Sequence, residues 1–196
     1  EKLVKVYKNT KVDAQMLKDA DVDAVILAIG SSPITIKLEG MDKLQHASAP
    51  EVLRHEVCPK GKVAVIGGGL VGLETADTLA TDGCDVTVLE MKDEIGSDLG
   101  SLRKIAVMMK LQQMQVKMLP NSKVCKFTEE GIVLEDETLV PCNCAVFAVG
   151  FASNDSHLLV EECEKRQIPC RVIGDAKSAR RALDAIAEGF EAARTL

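Results

Sequence analysis

A glycine-rich stretch, VAVIGGGLVGLE at residues 63–74, has the residue types and spacing to bind a phosphate-bearing ligand. The glycines at 67, 69 and 72 satisfy the pattern G-x-G-x-x-G. In such a loop the first glycine makes a tight turn and the second lets a diphosphate approach the backbone. The third lets the following helix pack closely on the strand, and the N–H groups at the start of that helix face the phosphates. The residues expected to hold a dinucleotide are Gly67, Gly68, Gly69, Leu70, Val71 and Gly72.

An acidic residue, Glu90, lies 18 residues after Gly72, at the end of the next predicted strand. A carboxylate at this position accepts hydrogen bonds from ribose hydroxyls and repels a 2′-phosphate. The sequence therefore favours NAD(H) over NADP(H), with Met91 beside the acid in the site, although Lys92 weakens this preference. An α/β turn that binds no ligand remains the structural alternative.

The elements that position this loop form a βαβ unit. KVAVIG (62–67) predicts a buried strand, residues 70–81 a helix and CDVTVLE (84–90) a second strand, with the right-handed connection expected of parallel strands. AVILAIG (24–30) and CAVFAVG (144–150) predict further buried strands ending in glycine. After Pro120, short strands separated by turn signals predict a three-stranded meander.

Three other segments predict regular elements. Residues 3–12 alternate apolar and polar side chains, as in a strand, and two amphipathic helices are expected over about 99–114 and 179–196. The side chains expected to face the core are Leu102, Ile105, Ala106, Met109 and Met114 in the first helix, and Leu183, Ile186 and Phe190 in the second.

Composition excludes several classes of function. The 196 residues carry a net charge of −6 without a basic cluster, which argues against nucleic-acid binding. No apolar run reaches the roughly 18–20 residues of a membrane helix, and no signal peptide is evident, so we expect a cytoplasmic protein. The seven cysteines are irregularly spaced, which favours reduced thiols over metal ligands. Only Cys142 with Cys144 could begin a redox or metal site, and we expect no bound metal.

A set of motifs resembles the two-dinucleotide flavoproteins, which include the pyridine-nucleotide disulfide reductases. EMKDEIGSDLG (90–100) is most similar to the C-terminal FAD/NAD(P) region of the old-yellow-enzyme-related NADH:flavin oxidoreductases. That group includes 2,4-dienoyl-CoA reductase, enoate reductase and trimethylamine dehydrogenase. The other motifs, in the same order as in that superfamily, are AIGSSP (28–33), VIGGGLVGLE (65–74), FAVG (147–150) and VIGDA (172–176).

The resemblance implies an α/β fold in which a Rossmann-like NAD(P)-binding domain, a parallel sheet plus a β-meander, is inserted in a partial FAD-binding α/β domain. The NAD-binding domain would be 48–149, and 1–47 with 150–196 would form the FAD-type domain. Glu74 would be near the nicotinamide, or else a solvated surface acid, and both interpretations stay open. The other cofactor-binding residues implied by the resemblance are Ala28, Gly30, Gly150, Gly174 and Asp175.

The sequence departs from this family in having one glycine loop. The FAD diphosphate loop, the redox-active CxxxxC and the FMN barrel are absent. We therefore expect a fragment of an NADH-dependent flavin oxidoreductase, not active alone and with an incomplete FAD site, that binds NAD(H) and passes hydride to FAD. No catalytic side chain is required. Its partners would be the remainder of the parent flavoenzyme, namely the FMN barrel and the first FAD segment. The electron acceptor, at an upstream site, would be an enone or enoyl compound.

Two other functions stay open at this point. The chain could be a non-catalytic module that binds an adenine dinucleotide, or a fragment of a disulfide-reductase-like flavoenzyme. A homo-oligomer is also left open.

Overall fold

A computed structural model of the chain describes residues 3–196. It separates into two compact units. The first unit is Glu1–Ser32 with Phe151–Leu196, and the second unit is Pro33–Gly150.

Helices and strands alternate through most of the chain. The α-helices are α1 (Ala14–Asp19), α2 (Ala49–Leu53), α3 (Leu70–Thr81), α4 (Ser101–Gln113), α5 (His157–Lys165) and α6 (Ala182–Thr195), and 3-10 turns cover Met41–Lys43 and Gly174–Ala176. The strands are β1 (Val25–Leu27), β2 (Ser31–Pro33), β3 (Gln45–Ser48), β4 (Lys62–Ile66), β5 (Asp85–Leu89), β6 (Lys117–Leu119), β7 (Val124–Thr128), β8 (Gly131–Leu134), β9 (Leu139–Pro141), β10 (Cys144–Phe147), β11 (Phe151–Ser153) and β12 (Cys170–Val172).

A five-stranded parallel sheet is the centre of the second unit, with strand order β3-β10-β4-β5-β6. The strands are in register at their carboxyl ends, because Phe147 lies opposite both Ser48 and Ile66, and Ile66 lies opposite Leu89. The chain passes from β3 through β4, β5 and β6 in one direction across the sheet and then returns to β10, which lies between β3 and β4. In open parallel sheets, ligands bind outside the carboxyl ends of the strands where the order reverses in this way.

Side chains of the central strands alternate between two cores. Val63 and Val65 of β4 pack on one face with Leu73 of α3. Ala64 and Ile66 pack on the other face with Phe127, which belongs to an antiparallel meander of β7, β8 and β9. Both faces of the sheet are therefore covered, by helices on one side and by the meander on the other, as its continuous apolar strands require. The predicted combination of parallel sheet and meander is confirmed.

The first unit is built on a short parallel pair, β1 with β12. Asp13 caps α1, because its side chain accepts a hydrogen bond from the Met16 N–H. A glycine permits the close approach of α6 to the preceding 3-10 turn, since a Cβ on Gly174 would lie 3.2 Å from the Cβ of Ala185. Within residues 3–196, no helix combines the length and apolar character that crossing a bilayer requires.

The prediction of a strand over residues 3–12 is wrong. This segment has no regular structure, and its apolar side chains are exposed, including Leu3, Val6 and Tyr7. Alternation of apolar and polar residues favours a strand only where a neighbouring strand accepts its hydrogen bonds and covers one face.

The core-facing side chains predicted for α4 and α6 are also wrong, although the limits of both helices are close to those expected. In α4 the buried side chain is Leu111, and Val107 and Met108 pack beside it, whereas Leu102, at 84 % exposure, faces solvent. Ile105, Ala106 and Met109 are exposed as well, and Met114 packs on the core as predicted. Periodicity shows which residues share a face but not which face has a neighbour.

The last helix, α6, turns its small residues toward the rest of its unit. Ala192 is buried, and a Cβ on Gly189 would lie 3.8 Å from the Ile173 side chain. The three residues predicted to be internal, Leu183, Ile186 and Phe190, are 75 %, 68 % and 71 % exposed.

The division of the chain differs from the predicted limits at residues 47 and 48. β3 joins the parallel sheet through β10, and Leu38 and Met41 pack against the core beside the meander. These contacts place the whole of 33–47 in the second unit, so the division falls after Ser32 and after Gly150.

Candidate dinucleotide-binding site

The loop between β4 and α3 lies at the carboxyl edge of the parallel sheet. Its first glycine, Gly67, has a φ of +110°, in the left-handed region that favours glycine. Its N–H donates to the carbonyl oxygen of Leu89 at 2.8 Å. A Cβ at this position would lie 2.4 Å from the carbonyl oxygen of Ala148, the residue after β10. The turn therefore lies between the ends of β5 and β10, where only glycine fits.

The third glycine of the motif, Gly72, lies in the first turn of α3. A Cβ on this residue would lie 1.9 Å from the carbonyl oxygen of Gly67. The first turn of the helix consequently rests directly on the loop. This contact fixes where the first N–H groups of α3 are presented.

The start of α3 carries backbone donors that no preceding turn can satisfy. Gly69 is the N-cap residue, and Leu70, Val71 and Gly72 follow it. The partial positive charge of a helix N-terminus favours an anion here. The Leu70 N–H donates to both carboxylate oxygens of Asp98, at 3.1 and 3.0 Å. The structure therefore adds Asp98 to the six loop residues, although its position 28 residues away gave it no role in the sequence.

The predicted ribose-binding acid, Glu90, is only 9 % exposed and lies beside the loop. Its carboxylate accepts hydrogen bonds from the Gly68 N–H at 2.7 Å and from the Lys92 N–H at 2.9 Å. The two bonds hold the carboxylate at the end of β5, adjacent to the glycines. Met91, the next residue, is exposed.

Two other predicted residues lie elsewhere in the second unit. Glu74 points from α3 toward α4, where its carboxylate pairs with Arg103 at 2.8 Å and both side chains are exposed. Gly150 follows β10 with a φ of +101°, and its carbonyl oxygen accepts a hydrogen bond from the Ile34 N–H at 3.0 Å. Glu74 is thus paired with α4, whereas Gly150 lies two residues beyond Ala148, whose carbonyl oxygen packs against Gly67 of the loop.

The four predicted residues of the first unit line one pocket of about 390 Å³. They are Ala28, Gly30, Gly174 and Asp175. The Asp175 carboxylate accepts hydrogen bonds from the Ser31 hydroxyl at 3.1 Å and from the Arg180 N–H at 3.2 Å. Sequence reasoning missed Ser31 and Arg180, because their proximity to Asp175 depends on the fold.

A second acid organises the rim of this pocket. Glu188 of α6 accepts a hydrogen bond from the Gly174 N–H at 2.7 Å, and its carboxylate also pairs with Arg180 and with Lys177. The hydrogen bond from Arg180, followed by the Gly174 N–H, lowers the pKa of Glu188 from its ordinary value to about 2. The acid therefore stays ionised and keeps the Gly174 turn attached to α6.

The parallel sheet, the glycine loop packed under α3 and the acid at the end of β5 define an α/β dinucleotide-binding protein. A comparison with protein families identifies the family. The chain belongs to the pyridine nucleotide-disulphide oxidoreductase family, whose model matches residues 1–176.

Several characterised proteins are similar over almost the whole chain. Bilirubin reductase of Mediterraneibacter gnavus is 36 % identical over 191 residues, which are 94 % of this chain and 29 % of that protein. Cinnamate reductase of Clostridium sporogenes is 34 % identical over 201 residues, covering 98 % of this chain and 29 % of that protein. A 2-naphthoyl-CoA reductase structure superimposes with a TM-score of 0.84 at 24 % identity, covering 96 % of this chain and 29 % of that one.

These similarities confirm the resemblance to the old-yellow-enzyme-related reductases and the predicted fold class. They also confirm that this is an oxidoreductase family of flavin- and NAD(P)H-binding proteins. The chain spans about 29 % of the length of the first two relatives.

Proposed function

We propose that the second unit binds NAD(H) at the loop from Gly67 to Gly72. The observation that carries this proposal is the contact between Gly72 and the Gly67 carbonyl oxygen, which presents the α3 N-terminus at the carboxyl edge of the sheet. The diphosphate would accept hydrogen bonds from the N–H groups of Leu70 and Val71, and the missing side chain at Gly69 would let it approach.

Glu90 would select NAD(H) over NADP(H). Its carboxylate is held rigidly by the Gly68 and Lys92 N–H groups, so it cannot easily turn away from a ligand. Each oxygen retains a lone pair for a ribose hydroxyl, because a carboxylate offers about four acceptor positions. A 2′-phosphate in the same place would meet a buried negative charge.

The first unit would contribute part of an FAD site. The residues present fit such a ligand, because the pocket combines the Asp175 carboxylate, an acceptor for polyol hydroxyls, with apolar walls from Ala28 and Ile173. When bound, nicotinamide and flavin would supply hydride-transfer chemistry. The side chains of this chain would bind and orient the two cofactors, and Glu74 and Gly150 would act near the nicotinamide.

The chain would act as part of a larger flavoenzyme that includes an FMN barrel and a first FAD segment. Its share of the relatives' length agrees with this proposal. The exposed stripe on α6 also supports it, since large apolar side chains such as Phe190 are usually covered in a complete protein. The two relatives named for bilirubin and cinnamate favour a conjugated carbon–carbon double bond as the final electron acceptor, of the enone or enoyl type.

The test is the substitution Gly69→Val in the full-length protein. Gly69 has a φ of −78° and a ψ of −173°, which valine tolerates, and the atoms nearest to a Cβ there belong to the Asp98 carboxylate, the closest at 3.2 Å. The fold should therefore persist while the diphosphate is excluded. We expect NADH binding, measured by calorimetry, to be lost, while the melting temperature falls only slightly because valine is a poorer N-cap residue than glycine.

Flavin absorbance tests the redox step. We expect NADH to bleach the band at about 450 nm that is typical of bound flavin. A full-length protein that binds NADH but no flavin would instead be a nucleotide-binding module. NADH affinity that persists in the Gly69→Val variant would contradict the assignment of the loop.

A further inference from the structure

The carboxylate of Asp98 lies where the diphosphate of the proposed ligand belongs. Both of its oxygens accept the Leu70 N–H, the first backbone donor of α3. One of them, Oδ2, is 3.2 Å from the position of a Cβ on Gly69. The carboxylate therefore covers the glycine and the N–H group that a diphosphate would have to approach.

The loop that carries Asp98 is fastened to the glycine loop. The Gly96 N–H donates to the Gly68 carbonyl oxygen at 2.7 Å, and the adjoining Ile95 side chain is buried. Gly96 has a φ of +66°, which allows the chain to turn at this point. These contacts keep the backbone near Asp98 in place, whereas its own side chain is exposed to solvent.

A carboxylate and a diphosphate cannot occupy one N-terminal position together. Both are anions that seek the same N–H donor, and their charges repel each other at contact distance. A ligand that must displace an internal group binds with an affinity reduced by the fraction of molecules in which the position is open.

From these contacts we infer that Asp98 is an internal competitor for the dinucleotide. It caps α3 in the ligand-free protein and swings away when the diphosphate binds. This inference rests on the proposed NAD(H) site and describes how that site is regulated. The competition concerns the diphosphate, which NADH and NADPH share, so it lowers affinity for both dinucleotides by the same factor.

The experiment is Asp98→Asn in the full-length protein, with NADH and NADPH as the probes in calorimetry. Asparagine keeps the size of the side chain and removes its charge. We expect affinity for each dinucleotide to rise up to about fivefold, because asparagine can still accept the Leu70 N–H and only the charge–dipole attraction, worth up to about 1 kcal/mol, is lost. The ligand-free variant should melt at a lower temperature, because α3 loses its anionic cap.

Competition predicts that dinucleotide affinity rises while the melting temperature of the ligand-free variant falls. These opposite signs distinguish competition from a general change in charge. Asp93→Asn is the matched control: Asp93 is another exposed acid in the same loop, five residues earlier. We expect it to change NADH affinity less than twofold. An Asp98→Asn variant that binds NADH no better than the wild type would overturn the inference.

Failure of the competition can be distinguished from failure of the proposed NAD(H) site. If Gly69→Val abolishes NADH binding and Asp98→Asn leaves it unchanged, the site is correct and the competition is wrong. NMR of the wild-type protein supplies a second readout that needs no variant. The Asp98 carboxylate resonance should shift on saturation with NADH, and an unshifted resonance would refute displacement.

Discussion

The substitution Gly72→Ala tests most directly how the glycine loop and α3 depend on each other. Gly72 lies in the first turn of a helix, where alanine would ordinarily be the better residue by about 1 kcal/mol. In this fold, however, the added Cβ would lie 1.9 Å from the carbonyl oxygen of Gly67 and 3.0 Å from its carbonyl carbon. The local preference and the tertiary contact therefore predict effects of opposite sign.

The contact is expected to prevail. Non-bonded heavy atoms rest roughly 3.5 Å apart, so α3 would have to withdraw by more than about 1 Å. Overpacking of a core costs about 1–3 kcal/mol, and a backbone oxygen cannot rotate away, which places this site near about 3 kcal/mol. After the gain in helix propensity, the free energy of unfolding should fall by about 2 kcal/mol. For a chain of this size, that corresponds to a melting temperature lower by roughly 4–8 °C.

Thermal melting of the wild type and variant measures this loss, and calorimetry with NADH measures the second consequence. A displaced α3 moves the Leu70 N–H away from the diphosphate, so affinity should fall at least about tenfold. Gly189→Ala in α6 is the matched control, because a Cβ there makes an ordinary contact of 3.8 Å with Ile173. It should raise stability by up to about 1 kcal/mol. A Gly72→Ala variant as stable as the wild type would refute the reasoning.

Two further predictions concern the buried and paired acids. Glu90→Ala leaves the Gly68 N–H without its acceptor and should destabilise the second unit by about 1–3 kcal/mol. The variant should also bind NADPH better relative to NADH. An unchanged ratio of the two affinities in calorimetry would show that Glu90 does not contact the ribose. Glu188 has its pKa lowered from 4.5 to about 2 by Arg180 and the Gly174 N–H, so its stabilising contribution is present above about pH 4.5 and is lost as the pH falls toward 2. Over that window the melting temperature should decline more steeply for the wild type than for Glu188→Gln, and parallel curves would contradict this.

The βαβ unit could be predicted because its signals are local. A helix over residues 70–81 follows from apolar periodicity after the glycine run, and the structure has it at Leu70–Thr81. The flanking strands β4 and β5 are continuous apolar runs, and such strands occur in sheets that are covered on both faces. Wherever chain neighbours decide the conformation, the sequence was sufficient.

Predictions failed where a distant neighbour decides. The alternation in residues 3–12 is real, but no strand forms there in the described structure. In α6 the periodicity correctly groups Leu183, Ile186 and Phe190, yet Ala192 is the residue that the fold buries. Helix amphipathicity reports a shared face, and the location of the other elements determines whether that face is covered.

The sequence by itself determined the fold class, the glycine loop and its acid, because each depends on residue type at fixed spacing. Only the tertiary structure decided that Glu90 is held by the Gly68 N–H and that Asp98 covers the start of α3. It also decided that Glu188 holds the turn at Gly174. These contacts join residues 14 to 28 positions apart, and hydrogen bonds over such separations depend on how the backbone returns to the same place, which no local pattern encodes.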